Sequence, residues 1–133
     1  MKLLTTRSLT CSLSILALLL LGQHVAQAEV LSDGVLTATH PSNSIHRPGC
    51  FYQIHNVTMT QGGVYTISLT SGQFDAYLIV LDDRGLELAR DDDSGGNLNA
   101  RVNLRAPYTG TFQIMVTTFA RGETGRYRLH VVP

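Results

Sequence analysis

Asp75, the run Asp91-Asp92-Asp93, and the amides Asn97 and Asn99 are the residues best suited to chemistry in this chain. Carboxylates and side-chain amides are hard oxygen donors, of the kind calcium gathers in sets of about six to eight. Asp91, Asp93 and Asn97 are spaced much as in a calcium loop, but Gly95 stands where a further side-chain ligand belongs. No helical pattern flanks the run, so an EF-hand is excluded. The same residue types also build Asx turns, in which a carboxylate accepts hydrogen bonds from nearby backbone N–H groups. Two readings therefore stand for Asp75, Asp91, Asp92, Asp93 and Asn97. They form a calcium site, or they form a hydrogen-bonded turn with Arg90, Arg101 or Arg105 neutralising the remaining charge.

What brings Asp75 to the run is a hairpin. The most apolar stretch after the N-terminal region, Phe74-Asp75-Ala76-Tyr77-Leu78-Ile79-Val80-Leu81, predicts a central, buried strand over 76–81. Asp82-Asp83-Arg84-Gly85 predicts a turn, and 86–90 the return strand. A four-residue turn would pair Leu81 with Leu86 and set Asp75 opposite Asp92; a one-residue bulge would set it opposite Asp93. Like charges facing each other across a sheet are unfavourable, so a cation, an arginine, a raised pKa or backbone donors must compensate.

The remaining strands are predicted at 34–39, 50–57, 64–69, 101–105, 111–118 and 126–132. Tyr65, Ile67 and Leu69 alternate with polar neighbours, as do Phe112, Ile114 and Val116, and Tyr127, Leu129 and Val131. About eight short strands with turn signals between them, and no helical period, indicate an all-β antiparallel β-sandwich of jelly-roll type. Outward Arg126, Arg128 and His130, with Arg101, Asn103 and Arg105, would form a basic stripe if their strands were neighbours. An ordinary solvated face is the other reading.

The N-terminal region has a different character. Lys2 and Arg7, the apolar stretch 13–21 and Ala26-Gln27-Ala28 make a secretory signal peptide over 1–28, too short in its apolar part for an uncleaved span. One domain, 29–133, remains. It holds eight arginines against ten carboxylates, a balance that points to neither a nucleic-acid partner nor an anionic membrane surface. Cys11 leaves with the signal peptide, so Cys50 is either a buried thiol or the source of an intermolecular disulfide. His40, His46, Cys50 and His55 would hold zinc or copper only if they converged, and strand parity sets Cys50 and His55 on opposite faces. There is no Gly-x-Ser-x-Gly elbow and no His-Glu-x-x-His motif, so the chain is read as a non-enzyme.

Six segments in order carry a resemblance. They are Gly63-Val64-Tyr65-Thr66-Ile67-Ser68-Leu69, Phe74-Asp75-Ala76-Tyr77-Leu78, Asp82-Asp83-Arg84-Gly85, Asp92-Asp93-Ser94-Gly95-Gly96-Asn97, Gly110-Thr111-Phe112-Gln113-Ile114-Met115-Val116 and Gly125-Arg126-Tyr127-Arg128-Leu129. Over about 34–132 the chain resembles the bacterial pre-peptidase C-terminal domain. The resemblance implies a non-catalytic exported β-sandwich that serves secretion, localisation or substrate attachment. Related collagen-binding modules bind calcium. No peptidase domain precedes the module in this sequence, which favours a binding or structural protein in the periplasm or outside the cell. Its expected partner is a protein or glycan of the envelope or surroundings. A calcium-stabilised adhesion or matrix-attachment module and an accessory protein of a secreted peptidase are the alternatives.

Overall fold

The computed structural model describes residues 29–133, so the expected signal peptide, 1–28, lies outside the described residues. Eight strands follow one another: β1 (Val30–Leu36), β2 (Gln53–Met59), β3 (Val64–Thr70), β4 (Ala76–Leu81), β5 (Glu87–Asp91), β6 (Ala100–Arg105), β7 (Gly110–Thr118) and β8 (Gly125–Val132). They form two four-stranded sheets, β1-β8-β3-β6 (sheet I) and β2-β7-β4-β5 (sheet II). All pairings are antiparallel. This is the expected all-β sandwich with jelly-roll strand order. Four of the pairs, β1·β8, β2·β7, β3·β6 and β4·β5, nest inside one another around the β4–β5 hairpin.

Between the sheets lies one core, built from the inward residues of each strand, Met59, Ile67, Leu69, Leu78, Val80, Phe112, Ile114 and Leu129 among them. β4 is buried along its whole length, and the reason is a second cluster on its other face. Tyr77, Ile79 and Leu81 pack there with Met115, Tyr52 and Ile54. The long segment 37–52 supplies cover: Ser44 is buried with its hydroxyl 3.8 Å from the Met115 sulfur, and the Arg47 guanidinium sits 4.1 Å from the centre of the Tyr77 ring. A strand covered on both faces has no polar alternation to show.

Several boundaries differ from the sequence expectation. β1 starts earlier and stops at Leu36, because Thr37 to His40 closes as a turn, with the Thr37 N–H donating to His40 Nδ1 at 3.0 Å. β2 starts at Gln53, after a bend in which Gly49 adopts a φ of 83°. Asp82 lengthens the hairpin turn, its Oδ1 accepting from the N–H groups of Arg84 and Leu86, each at 2.8 Å. Leu81 therefore pairs with Glu87, and a bulge at Val80/Leu81 moves the register again, so that Leu78 faces Asp91. Neither Leu81 with Leu86 nor Asp75 with Asp92 is a pair.

The predicted basic stripe is also broken. β3 runs between β8 and β6 and places Thr66, Ser68 and Thr70 between the two basic rows. Arg128 is neutralised by Asp33 on β1, and His130 contacts Glu29.

Candidate functional site

Four connections meet at one end of the sandwich: 37–52, 71–75, 92–99 and 119–124. Backbone bonds tie three of them together around Asp75. The Ala76 N–H donates to the Leu98 carbonyl at 3.0 Å, and the Phe119 N–H to the Asp75 carbonyl at 2.9 Å.

The five sequence-predicted residues divide among three roles. Asp91 is a structural acceptor: its carboxylate takes the Ser94 hydroxyl at 2.5 Å, the Ser94 N–H at 3.0 Å and the Arg101 N–H at 2.8 Å. The last bond joins the edge of sheet II to the edge of sheet I. Burial alone would raise the Asp91 pKa, but these hydrogen bonds outweigh it and hold the pKa below the ordinary carboxylate value. This is the turn reading realised at one residue.

Asp75 behaves oppositely. Its Oδ1 is sealed from solvent and has no hydrogen-bond partner among the described residues. Burial raises its pKa, and the charges of Asp93, Glu123 and Asp92 raise it further. Asp75, Asp92 and Asp93 are thus brought near one another with Glu123, which the sequence reading did not include. Glu123 comes from the connection after β7, the strand beside β4, and no local spacing links it to Asp75. Two of the three expected arginines are engaged elsewhere: Arg90 pairs with Glu87, and Arg105 donates to the Gly62 carbonyl. Among the described residues, no group of three His, Cys, Asp or Glu side chains converges to hold a metal ion.

Asn97 faces elsewhere. With Asn99 it lines a groove on the sheet I side of the same end. Asn97 and Leu98 have φ values of 53° and 61° and form a tight two-residue turn between the bridged residues Gly96 and Asn99. Leu98 is 55% exposed, and Phe119, on the opposite side of Asp75, is 51% exposed. The Phe119 ring leans on Tyr77 at 6.4 Å between centroids, with the Arg47 guanidinium 5.6 Å from it. The corner is therefore acidic, with a protruding apolar side chain on either side.

The histidines and the cysteine keep separate partners. His40 bonds Thr37, His46 contacts the Gly85 carbonyl and Glu87, and His55 bonds the Tyr127 hydroxyl. Cys50 is 2% exposed, its thiol directed at the Ala120 carbonyl.

Comparison with known proteins completes the description. The family model described as "Bacterial pre-peptidase C-terminal domain" matches residues 51–118, just over half of the chain. The chain resembles the solved pre-peptidase C-terminal domain of collagenase from Bacillus anthracis at 14% identity and a TM-score of 0.54, over 80% of this chain and 89% of that one. It also resembles Aeromonas hydrophila PliG, a periplasmic lysozyme inhibitor of g-type lysozyme, at 18% identity and a TM-score of 0.55, over 81% of this chain and 87% of that one. At such identities the likeness is one of fold. No curated protein matches.

Proposed function

Because the chain belongs to the bacterial pre-peptidase C-terminal domain family, we propose that it is a non-enzymatic exported module that binds a macromolecule outside the cytoplasm. The observation that carries this reading is the loop end, where Leu98 and Phe119 stand out on either side of the Asp75 corner. Apolar side chains held on closely bonded turns lose little freedom on binding, and such anchors dominate interface energies. The carboxylates of Asp75, Asp92, Asp93 and Glu123 favour a protein partner with a basic patch and would speed encounter with it. A periplasmic lysozyme inhibitor on the same fold supports a protein as the target. The test replaces both Leu98 and Phe119 by Ser and compares cross-linking to native envelope and culture-fluid proteins. The wild type should capture a discrete partner and the double variant should lose it with its melting temperature kept. Equal capture by both would remove the loop end as the binding face.

The orphaned Asp75 oxygen supports a second reading, calcium holding the loop end together. Asp75, Asp92, Asp93 and loop carbonyls would be its donors, drawn closer than they stand, while Asp91 is already committed to hydrogen bonds. Calcium at 100 times its Kd would stabilise the domain by about 2.7 kcal/mol. A melting temperature that millimolar calcium leaves unchanged after EDTA treatment would end this reading.

A further inference from the structure

We propose that the groove on the sheet I side of the loop end is a binding site for a carboxylate-bearing oligosaccharide, with Arg126 recognising the carboxylate. The groove measures about 710 Å3 and lies over β8, between β1 and the connections that carry Ser71 and Asn97. That volume is within the range of small-ligand sites, about 300–1,000 Å3, with room for a short oligosaccharide.

Its charge selects an anion. Asp33, Arg126 and Arg128 all line it. Arg128 is committed to Asp33 through two bonds, at 2.7 and 3.1 Å. The Arg126 guanidinium has no ion pair or hydrogen bond among the described residues; the groups of Arg126 that are engaged are backbone ones, its N–H donating to Gln73 and its carbonyl accepting from Ser71. One uncompensated guanidinium therefore faces the groove, with the planar fork that fits a carboxylate.

The other free groups favour a sugar over a peptide. Thr70 and Asn97 line the groove with hydroxyl and amide groups that have no partner among the described residues, where Asn99 uses only its oxygen and leaves its NH₂ unused. Mixed donors and acceptors on side chains suit sugar hydroxyls, each of which both donates and accepts. A peptide that adds to a sheet as a further strand needs a free strand edge. β8 has none, since β1 pairs with it on one side and β3 on the other. Beyond the end of β3, the Arg126 carbonyl is still occupied by the Ser71 hydroxyl.

The experiment titrates the folded protein, followed by backbone NMR shifts, with trigalacturonic acid, a hyaluronan tetrasaccharide and a muramic-acid-containing disaccharide. Cellotriose, chitotriose and triglutamate serve as comparisons. At least one acidic saccharide should shift the resonances of residues 70–72, 97–99 and 126, and added salt should weaken it. Arg126→Ala should weaken that saccharide about tenfold or more, the scale of a charge-assisted pair. Arg126→Lys should recover part of the loss, and Asn97→Gly, which suits the turn, should weaken binding without lowering the melting temperature. The proposal is overturned if no acidic saccharide binds at millimolar concentration. Equal binding of a neutral saccharide or of triglutamate, or binding that Arg126→Ala leaves intact, also overturns it. None of these results bears on the Leu98 and Phe119 face, which is tested separately.

Discussion

Two aspartates sixteen positions apart show how much environment decides what a carboxylate does. Asp91 is enclosed by donors and held ionised, whereas one oxygen of Asp75, Oδ1, is sealed beside other carboxylates with no donor among the described residues. The signs of their contributions to stability are opposite. A lowered folded pKa makes the Asp91 contribution complete above the ordinary carboxylate value, about 3.9, and lost as pH falls through the folded value. A raised folded pKa makes ionised Asp75 a penalty at neutral pH, relieved as pH falls through its folded value. In EDTA, Asp75→Asn should therefore be neutral or stabilising by up to about 1 kcal/mol near pH 7. Its advantage over the wild type should shrink towards pH 4, which melting curves across that range would show. Loss of stability at pH 7 would mean that Asp75 accepts a bond not seen here. From the sequence both residues read as turn acceptors or metal ligands. The fold separates them: Ser94 and Arg101 bring donors to Asp91, while Asp75 Oδ1 is buried beside Asp93, Glu123 and Asp92, and Glu123 arrives only through β7.

Elements with one solvated face were the most legible. The alternation in β3 and β8 marks Tyr65, Ile67, Leu69, Tyr127, Leu129 and Val131 as inward, and each is buried. β4 was legible for the opposite reason, since no polar residue interrupts it. Register was harder to read, because it depends on side-chain acceptance by Asp82 and on a bulge, neither of which leaves a periodic trace. β1 is weakly patterned because Gly34 replaces an inward side chain. A Cβ there would lie 2.3 Å from the Tyr127 ring, so the tyrosine fills the space a larger residue would take. The turn at Asn97-Leu98 breaks a local preference outright. A bulky residue at a φ of 61° costs about 1–2 kcal/mol relative to glycine, and the Leu98 side chain recovers little of this because it is largely exposed. Leu98→Gly should raise stability by about 1 kcal/mol, measured by urea unfolding, while weakening capture of the macromolecular partner. Such a trade is expected where a binding residue is kept at a stability cost. A destabilised Leu98→Gly protein would show that the side chain has packing partners in solution.

At the scale of the whole molecule, the family followed from the order of short motifs, the two-sheet architecture from strand alternation and turn signals, and the central place of β4 from its apolar run. The groove did not, because its walls come from β1, β8 and two connections distant in sequence. The 37–52 segment is an added layer over sheet II, and Cys50 lies at its C-terminal end with a thiol enclosed against Ala120. An aromatic disulfide reagent should therefore label native Cys50 far more slowly than the urea-unfolded chain. Labelling at the unfolded rate would show that the segment lifts freely, the condition that a disulfide to a second chain requires. The nested pairing has a further consequence, for the chain as it is being made. Among the described residues β1 has no strand partner other than β8, and β3 reaches β1 only through β8. A nascent chain that stops short of residue 125 can close the β4–β5 hairpin and wrap β2·β7 and β3·β6 around it, but it holds β1 unpaired and leaves one side of β3 open. Sheet I is thus completed only when β8, the last of the eight described strands, is made, and a translation product stalled before it presents open edges on which a second unfinished copy can pair.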